Sequence, residues 1–309
     1  MTATRAGYAA LLGRPNVGKS TLLNRLIGQK ISITAPKPQT TRHVILGIQT
    51  LPEVQIVYVD TPGLHRQGRR AMNRYLNRSA ASVLGYVDAV VFLIEALRWT
   101  AEDEDVLQRL AEFTGPVVLA ANKVDRIADK QRLLPFLGEM ASKRQFVEVV
   151  PLAAINGDNV TALEQVISRL LPEQEFLFPE DRITTSSERF LAAELIREKL
   201  TRLLREELPY ALTVEIERFV EAGRLVRIHA VIWVERASQK GIVIGEKGMT
   251  LREVGRQARQ DLERLLDHKV FLETWVKVRE GWSDDERALQ SLGYGDPGMT
   301  TLSREKDQE

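Results

Sequence analysis

Short, nearly unbroken apolar runs at residues 8–12, 54–59, 89–94, 117–121 and 147–151 punctuate the first half of the chain. Runs without alternation predict strands buried on both faces, as in a parallel sheet. Between them, apolar residues recur at helical spacing over 20–27, 73–84, 102–113, 130–143 and 160–171. This alternation predicts an α/β fold, a parallel-rich sheet flanked by helices, with ligands beyond the carboxyl ends of the strands. After residue 172 the rhythm changes. Leu171-Pro-Glu-Gln-Glu-Phe-Leu-Phe-Pro-Glu-Asp-Arg182 is acid-rich and bracketed by prolines, so residues 173–187 read as a linker. Beyond it the pattern predicts a long amphipathic helix over 188–207 and a hairpin of 213–220 and 225–234 around Glu221-Ala-Gly-Arg224. A glycine-bearing stretch, a helix over 250–266 and a strand over 270–278 follow. The chain thus divides into a sheet domain (1–172), the linker, a smaller α+β domain (188–280) and a polar tail (281–309) expected to be loose at its end.

Composition narrows the chemistry. With 44% hydrophobic and 28% charged residues in 309, the chain can build two ordinary cores. The net charge of +1 makes no global case for nucleic acid, so any such case must be local. There is no cysteine, which excludes disulfides, thiolate metal sites and Cys nucleophiles and fits a reducing compartment. The apolar N-terminal stretch stops at Gly13, too short to span a membrane and placed as a first strand, so a soluble cytoplasmic protein is expected.

Gly13-Arg-Pro-Asn-Val-Gly-Lys-Ser20 fits Gly-x-x-x-x-Gly-Lys-Ser between a strand and a helix. In that setting the backbone N–H groups of Gly13, Arg14, Pro15-Asn16-Val17 and Gly18 form a nest for phosphate oxygens, Pro15 itself having none to give, and the helix dipole adds to it. Lys19 would neutralise the β- and γ-phosphates, Ser20 would bind Mg²⁺, and Thr21 follows inside the helix. The base is chosen by Asn122-Lys-Val-Asp125, just past a strand end. Asp125 can accept from both the ring N–H and the exocyclic amine of guanine, a pair of donors that adenine lacks on that edge. Asn122 would bond the ring, the Lys123 stem would cover its face, and Val124 completes the loop.

Asp60-Thr61-Pro62-Gly63 ends another strand. Asp60 can reach Mg²⁺, and the Gly63 N–H a γ-phosphate, so the segment relaxes when that phosphate leaves. In Lys37-Pro-Gln-Thr-Thr-Arg42 one hydroxyl should ligate the metal; Thr41 is preferred to Thr40, which would then face solvent. These motifs resemble the translation-factor-like branch of P-loop GTPases. Ala153-Ala154 stands where GTPases of this kind usually carry Ser-Ala, and the resemblance implies a backbone N–H to guanine there that survives the alanine while any hydroxyl contact is lost. Two departures bear on mechanism. Leu64 stands where Ras-like enzymes carry the water-positioning glutamine, and leucine cannot orient or deprotonate water. Hydrolysis then rests on charge and positioning by Lys19, Thr41, Gly63 and Asn16 and should be slow. Asn16 reads either as a turn-former or as the asparagine that helps related GTPases hold K⁺. His65 reads as an exposed side chain rather than a base.

Val243-Ile-Gly-Glu-Lys-Gly-Met-Thr-Leu251 lacks the nucleotide-loop spacing. It resembles the Gly-x-x-Gly loop of KH domains, which clamps about four single-stranded nucleotides. Gly245, Glu246, Lys247 and Gly248 form the loop; Ile242, Val243 and Ile244 would line the groove floor or the core beneath it. Between Arg236 and Arg259 lie six basic residues against two acids. Lys240, Arg252 and Arg256 are the nearest candidates for phosphate contact, with Arg259 on the same helical face. Trp233 and Trp275 read as core. The element order helix–strand–strand–helix–helix–strand fits the type II KH topology.

A GTPase of this kind joined to a KH domain resembles the Era family, and the similarity reaches Ala35-Pro-Lys-Pro-Gln-Thr-Thr-Arg-His43, Arg98-Trp-Thr100 and Glu273-Thr-Trp-Val-Lys-Val-Arg-Glu-Gly-Trp-Ser-Asp-Asp-Glu-Arg-Ala-Leu289. The resemblance implies a GTP/GDP switch with Mg²⁺ that acts on 16S rRNA near its 3′ end during maturation of the 30S subunit. It also implies peripheral association with the cytoplasmic face of the cell membrane. A monomer is the default expectation, since nothing in the sequence speaks to oligomeric state. The competing expectation is a constitutive single-stranded-RNA binder whose nucleotide domain is mainly structural; the γ-phosphate-sensing set Lys19, Ser20, Asp60 and Gly63 argues against it.

Overall fold

The computed structural model describes residues 4–63 and 71–294. In the first half β1 (Arg5–Leu12), α1 (Lys19–Ile27), β2 (Ile45–Leu51), β3 (Val54–Asp60), α2 (Ala71–Ser82), β4 (Ala89–Glu95), α3 (Ala101–Arg109), β5 (Val117–Asn122), α4 (Leu133–Ala141), β6 (Glu148–Pro151) and α5 (Val160–Leu170) follow in turn. The sheet order is β2-β3-β1-β4-β5-β6, parallel throughout except that β2 runs antiparallel to β3. The unalternating runs are explained by two cores, one on each face. Tyr8, Ala10, Val90 and Phe92 point towards α2, α3 and α4, while Ala9, Leu11, Val91 and Leu93 point towards α1 and α5.

Strand β2 is absent from the sequence expectation because Gly47, Gln49 and Thr50 interrupt its apolar run. Gly47 is a packing requirement: a Cβ there would lie 2.7–2.9 Å from side-chain carbons of Leu23, Ile27 and Ile31. The outer edge of β2 would be open for pairing. Residues from the expected linker close it, with the Ile48 N–H donating to Ile183 O (2.8 Å) and the Thr184 hydroxyl to Leu46 O (2.7 Å). Upstream, Gln55 and Phe178 exchange two hydrogen bonds at 2.8 and 2.9 Å, and Phe178 is buried. Residues 173–187 are therefore a strap fastened along the sheet domain, not a free tether.

In the second half α6 (Glu188–Leu203), β7 (Leu212–Ala222), β8 (Leu225–Val234), α7 (Ala237–Ile244), α8 (Met249–Leu266), β9 (Lys269–Val278) and α9 (Glu286–Ser291) build the smaller domain. Its sheet runs β7-β8-β9, with β8 antiparallel to β7 and parallel to β9. Helices α6 and α8 cover one face through Leu195, Ile196, Leu200, Val254, Ala258 and Leu262. Helix α6 starts at Ser187, whose hydroxyl accepts the Phe190 N–H at 3.2 Å, and ends at Leu203, four residues short of expectation. Both of its sides are covered: even Arg197, Glu198 and Lys199 are buried, because the loop before β2 packs on its polar face.

The tail also differs from expectation over its first half. Trp282 is fully buried, α9 lies against α2, and Tyr294 is 3% exposed. Residues 282–294 form a small apolar cluster with Ala71, Met72 and Leu76, a contact between segments over 200 positions apart that no local pattern announces.

Candidate nucleotide site and RNA groove

A cleft of about 310 Å³ opens beyond the carboxyl ends of β1 and β3, lined among others by Pro15, Asn16, Gly18, Lys19, Ser20, Thr21, Thr41, Gly63, Lys123 and Arg126. Gly18 takes φ 109°, and a Cβ there would collide with Asn122 Nδ2, so only glycine lets the first loop meet the base loop. Lys19 Nζ donates to Gly13 O (2.9 Å) and Arg14 O (3.0 Å). Burial pushes its pKa down to about 8, partly offset by Asp60. A buried ammonium bonded mainly to neutral carbonyls gains strongly from an arriving polyphosphate.

The three expected Mg²⁺ ligands converge. Ser20 Oγ lies 2.7 Å from Thr41 Oγ1 and donates to Asp60 Oδ2 at 2.7 Å, where Ser32 Oγ also donates at 2.9 Å. Asp60 is fully buried, burial raises its pKa, and its Oδ1 has no protein partner among the described residues. Two hydroxyls and a carboxylate with a spare oxygen are a hard-oxygen donor set that fits Mg²⁺. Thr40 does not face solvent; its hydroxyl turns back to Lys37 O at 2.7 Å. Ser32 lies outside any motif, and no sequence signal points to it.

Several expected contacts take other roles. The Arg14 side chain is buried, with Nε 3.1 Å from Asp103 and Nη2 3.0 Å from Glu95, so only its backbone belongs to the phosphate loop. Glu95 also accepts from Lys123 Nζ at 3.0 Å. Burial would raise the Glu95 carboxyl, but the bonds from Lys123 and Arg14 hold it below its ordinary value. Glu95 thus ties the two loops together. Asn122 acts as a brace: Nδ2 donates to Val17 O (2.7 Å), and Oδ1 accepts from the Lys123 and Ala154 N–H groups (2.8 and 3.0 Å). The Ala154 N–H is therefore engaged by Asn122, and the Ala153 N–H by Asp158 O, so a guanine contact at this point requires the Asn122 bond to be shared. Val17 and Thr61 are buried, Thr61 bonding Leu11 O at 3.0 Å. Val124 sits in the short 3₁₀ turn that also carries Asp125. Asp125 is exposed and makes no hydrogen bond or ion pair among the described residues. Gly63 lies against Pro15, where a Cβ would meet the ring and backbone at 2.9–3.0 Å. Asn16 takes φ 62° and donates to Pro36 O at 3.3 Å. Leu64 and His65 lie outside the described residues.

The loop carrying Thr41 is held from both sides. Glu198 of α6 accepts from the Thr34 N–H (3.0 Å), the Thr34 hydroxyl (3.3 Å) and Lys30 Nζ (2.5 Å), while Arg202 donates to Thr34 O at 2.7 Å. Burial alone would raise the Glu198 carboxyl; the bonds from Lys30 and Thr34 outweigh it and hold it low. Arg197, in a bidentate pair with Glu194, also donates to Thr40 O. Arg42 reaches Pro209 O (2.9 Å) and Leu212 O (2.8 Å). None of these bonds is legible from a motif.

In the second domain the turn 245–248 joins α7 to α8. Gly245 adopts φ 72°, and a Cβ there would collide with Thr250 Oγ1; Lys247 is left-handed and exposed. A groove of about 530 Å³ runs from Gly248 along Leu251, Arg252, Gly255, Arg256 and Arg259 of α8 to Phe271, Leu272 and Thr274 of β9. Lys240, Glu246 and Ile242 are exposed beside it, and Ile244 is half-buried. Val243 belongs to the core, at 0% exposure, and cannot touch a ligand. Arg256 is engaged by Glu253 (2.6 and 2.8 Å), whose pKa these bonds hold down to about 2, whereas Arg252 and Arg259 form no ion pair among the described residues. Trp275 corrects the expectation of a core residue: it stands 56% exposed, because it lies on the sheet face that α6 and α8 leave uncovered. Trp233 is half-buried, its Nε1 donating to Glu215 at 2.8 Å.

Known proteins share both halves. A family model described as a 50S ribosome-binding GTPase matches residues 8–123, and a KH-domain model matches 207–283. The GTPase Era of Pseudomonas aeruginosa is 56% identical over 293 residues, 95% of this chain and 96% of that protein. That of Pseudomonas savastanoi pv. phaseolicola is 56% identical over 295 residues, 96% and 98% of the two chains. Among solved structures, a single-residue variant of Aquifex aeolicus Era bound to GDP·AlF4⁻ is 38% identical, with a TM-score of 0.92 over 95% of this chain and all of the other. A complex of Era with MgGDPNP and nucleotides 1506–1542 of 16S ribosomal RNA is 39% identical, with a TM-score of 0.91 over the same shares.

Proposed function

Because this chain belongs to the Era family of GTPases, we propose that it is a GTP-operated switch that binds 16S rRNA near its 3′ end and serves maturation of the 30S subunit. The observation that carries this reading is the position of the loop 30–42. One side presents Thr41 to Ser20 and Asp60, and the other is bonded to α6 of the KH domain through Thr34 and Thr40. A loop drawn towards a γ-phosphate therefore pulls on the RNA-binding half.

In this reading Lys19 and the backbone of residues 13–18 hold the phosphates. Asp125 reads the guanine edge, Asn122 keeps the loops in register, and the Lys123 stem lies over the base. Ser20, Thr41 and Asp60 would hold Mg²⁺, which when bound neutralises charge on the phosphate oxygens. Gly63 meets the γ-phosphate through its N–H. With no general base assigned, intrinsic hydrolysis is slow; Asn16 would help hold K⁺, which would supply positive charge towards the phosphates. Exchanging K⁺ for Na⁺ should then slow hydrolysis several-fold, and equal rates would retire that role. Lys240, Lys247, Arg252 and Arg259 attract RNA phosphates to the groove while Gly245 and Gly248 admit the backbone closely. A monomer in the cytoplasm, with a peripheral hold on the cell membrane, completes the proposal; among the described residues no helix is long and apolar enough to cross a membrane.

The test is the affinity for a 3′-terminal 16S fragment with a GTP analogue and with GDP, at fixed salt because phosphate contacts make RNA affinity steeply ionic. A several-fold preference for the GTP-analogue state supports the switch, and equal affinities refute it. The family model for the nucleotide half mentions the 50S subunit, so a large-subunit fragment is the control. Equal binding of that fragment would refute the 16S assignment.

A further inference from the structure

We propose that the segment 282–294 is the element through which the KH domain sets the position of α2, the helix that follows the γ-phosphate loop, and that Asp284 is its positioning residue. The proposal rests on the coupled GTPase–RNA reading above. A helix begins with N–H groups that have no partner within it. The Ala71 N–H, at the start of α2, is accepted by Asp284 Oδ1 at 2.9 Å, and the Met72 N–H by Ser283 O at 3.1 Å. Both partners come from the other end of the chain. A carboxylate placed there also favours the helix dipole. Arg74 and Arg78 of α2 add contacts to Glu286 at 3.6 and 3.9 Å.

The same segment continues from one wall of the RNA groove and is bonded to the stretch that leads into α7. Trp282 follows β9, whose Phe271, Leu272 and Thr274 form one wall, by a short turn in which the Arg279 N–H donates to Val234 O at 2.8 Å. Ser283 Oγ bonds Glu235, which immediately precedes the segment leading into α7 and the Gly245–Gly248 turn. Tyr294 closes the assembly. Its ring stacks on His43 with centroids 4.7 Å apart, and its hydroxyl lies 2.8 Å from Thr213 Oγ1 and 3.3 Å from Arg42 Nη1. One short stretch, 282 to 294, thus touches β7, the end of the Thr41 loop and the first turn of α2. A shift of β9 or α7 on seating RNA moves the acceptor of the α2 N-terminus.

The experiment uses the full chain and a 3′-terminal 16S fragment, comparing RNA affinity with a GTP analogue and with GDP in wild type, Asp284→Ala and Asp284→Asn. Asp284→Ala should lower the affinity ratio at least twofold, the share carried by the loop 30–42 and α6 remaining, while leaving GDP-state RNA affinity and RNA-free hydrolysis unchanged. Asp284→Asn, whose amide oxygen can still accept the Ala71 N–H, should keep most of the ratio. Hydrogen exchange over residues 71–82 should respond to RNA in wild type and not in Asp284→Ala. A wild-type-like ratio and exchange response in Asp284→Ala overturns the inference and leaves the proposed function standing. A wild-type ratio of one overturns both. Tyr294→Phe, which keeps the stack but loses the hydroxyl contacts, should lower the ratio as well, and an unchanged ratio there counts against the segment should Asp284→Ala fail to fold.

Discussion

Replacing Glu198 by alanine tests whether α6 is held against the Thr41 loop in solution. The carboxylate is fully buried and accepts from Lys30, Lys199, Arg202 and both donors of Thr34. Breaking a buried ion pair by deleting one partner costs about 3–5 kcal/mol. Lys30 and Arg202 have side chains 36% and 46% exposed and can turn to water, so the lower end applies. About 3 kcal/mol corresponds to a midpoint lowered by roughly 6–12 °C for folding units of 150–250 residues. Thermal unfolding of the full chain by circular dichroism reads this directly. Lys30→Ala alone should cost less than about 1 kcal/mol, since Lys30 itself is partly solvated and Glu198 keeps Lys199, Arg202 and Thr34, and less still in the Glu198→Ala background, where Asp261 is its remaining partner. The sign with pH follows from the low native pKa. Stability from Glu198 is present above its ordinary value of 4.5 and is lost as pH falls through the lower native value, so wild type should lose its advantage over Glu198→Ala in acid. A midpoint shift under about 2 °C, or an advantage independent of pH, would refute the docking argument.

Three further outcomes are expected. Lys19 titrates near 8 in the free protein, and bound phosphate must raise that value; GTP affinity, measured by fluorescence titration, should therefore weaken above pH 8 by up to about tenfold per pH unit, and a flat profile to about pH 9.5 would count against it. Asp125→Asn should cost at least about a hundredfold in GTP affinity and shift preference towards xanthine nucleotides in competition assays, because one base donor is left facing an amide N–H. Gly248→Asp should weaken RNA binding at least about tenfold by charge and bulk while GTP affinity holds, since a Cβ at 248 meets nothing within 4 Å and its positive φ costs only about 1–2 kcal/mol; Gly245→Ala should instead disturb the fold through Thr250.

The nucleotide cleft was largely legible because its parts are local. A glycine loop between a strand and a helix, and short motifs at strand ends, carry their chemistry within a few residues, and the sheet brings those ends together by topology alone. The same held for the 245–248 turn and the order of elements around it. What could not be read was every interaction whose partners are remote. Strand β2 hid behind a glycine required by α1, residues 173–187 looked like a linker until β2 offered them an edge, and nothing in the loop motif announced that the Arg14 side chain would pair with Glu95 and Asp103. Val243 took the core rather than the groove floor, as the one buried residue of α7, and Trp275 left its expected core place because it lies on the sheet face that α6 and α8 do not cover. The buried charges of α6 and the capping of α2 by Asp284 lie further still from any pattern. Sequence alone determined the candidate groups for phosphate, guanine and a nucleic-acid backbone, since those depend on residue type and short spacing. Tertiary structure decided how the two sites are joined, because burial and long-range pairing set which charges meet.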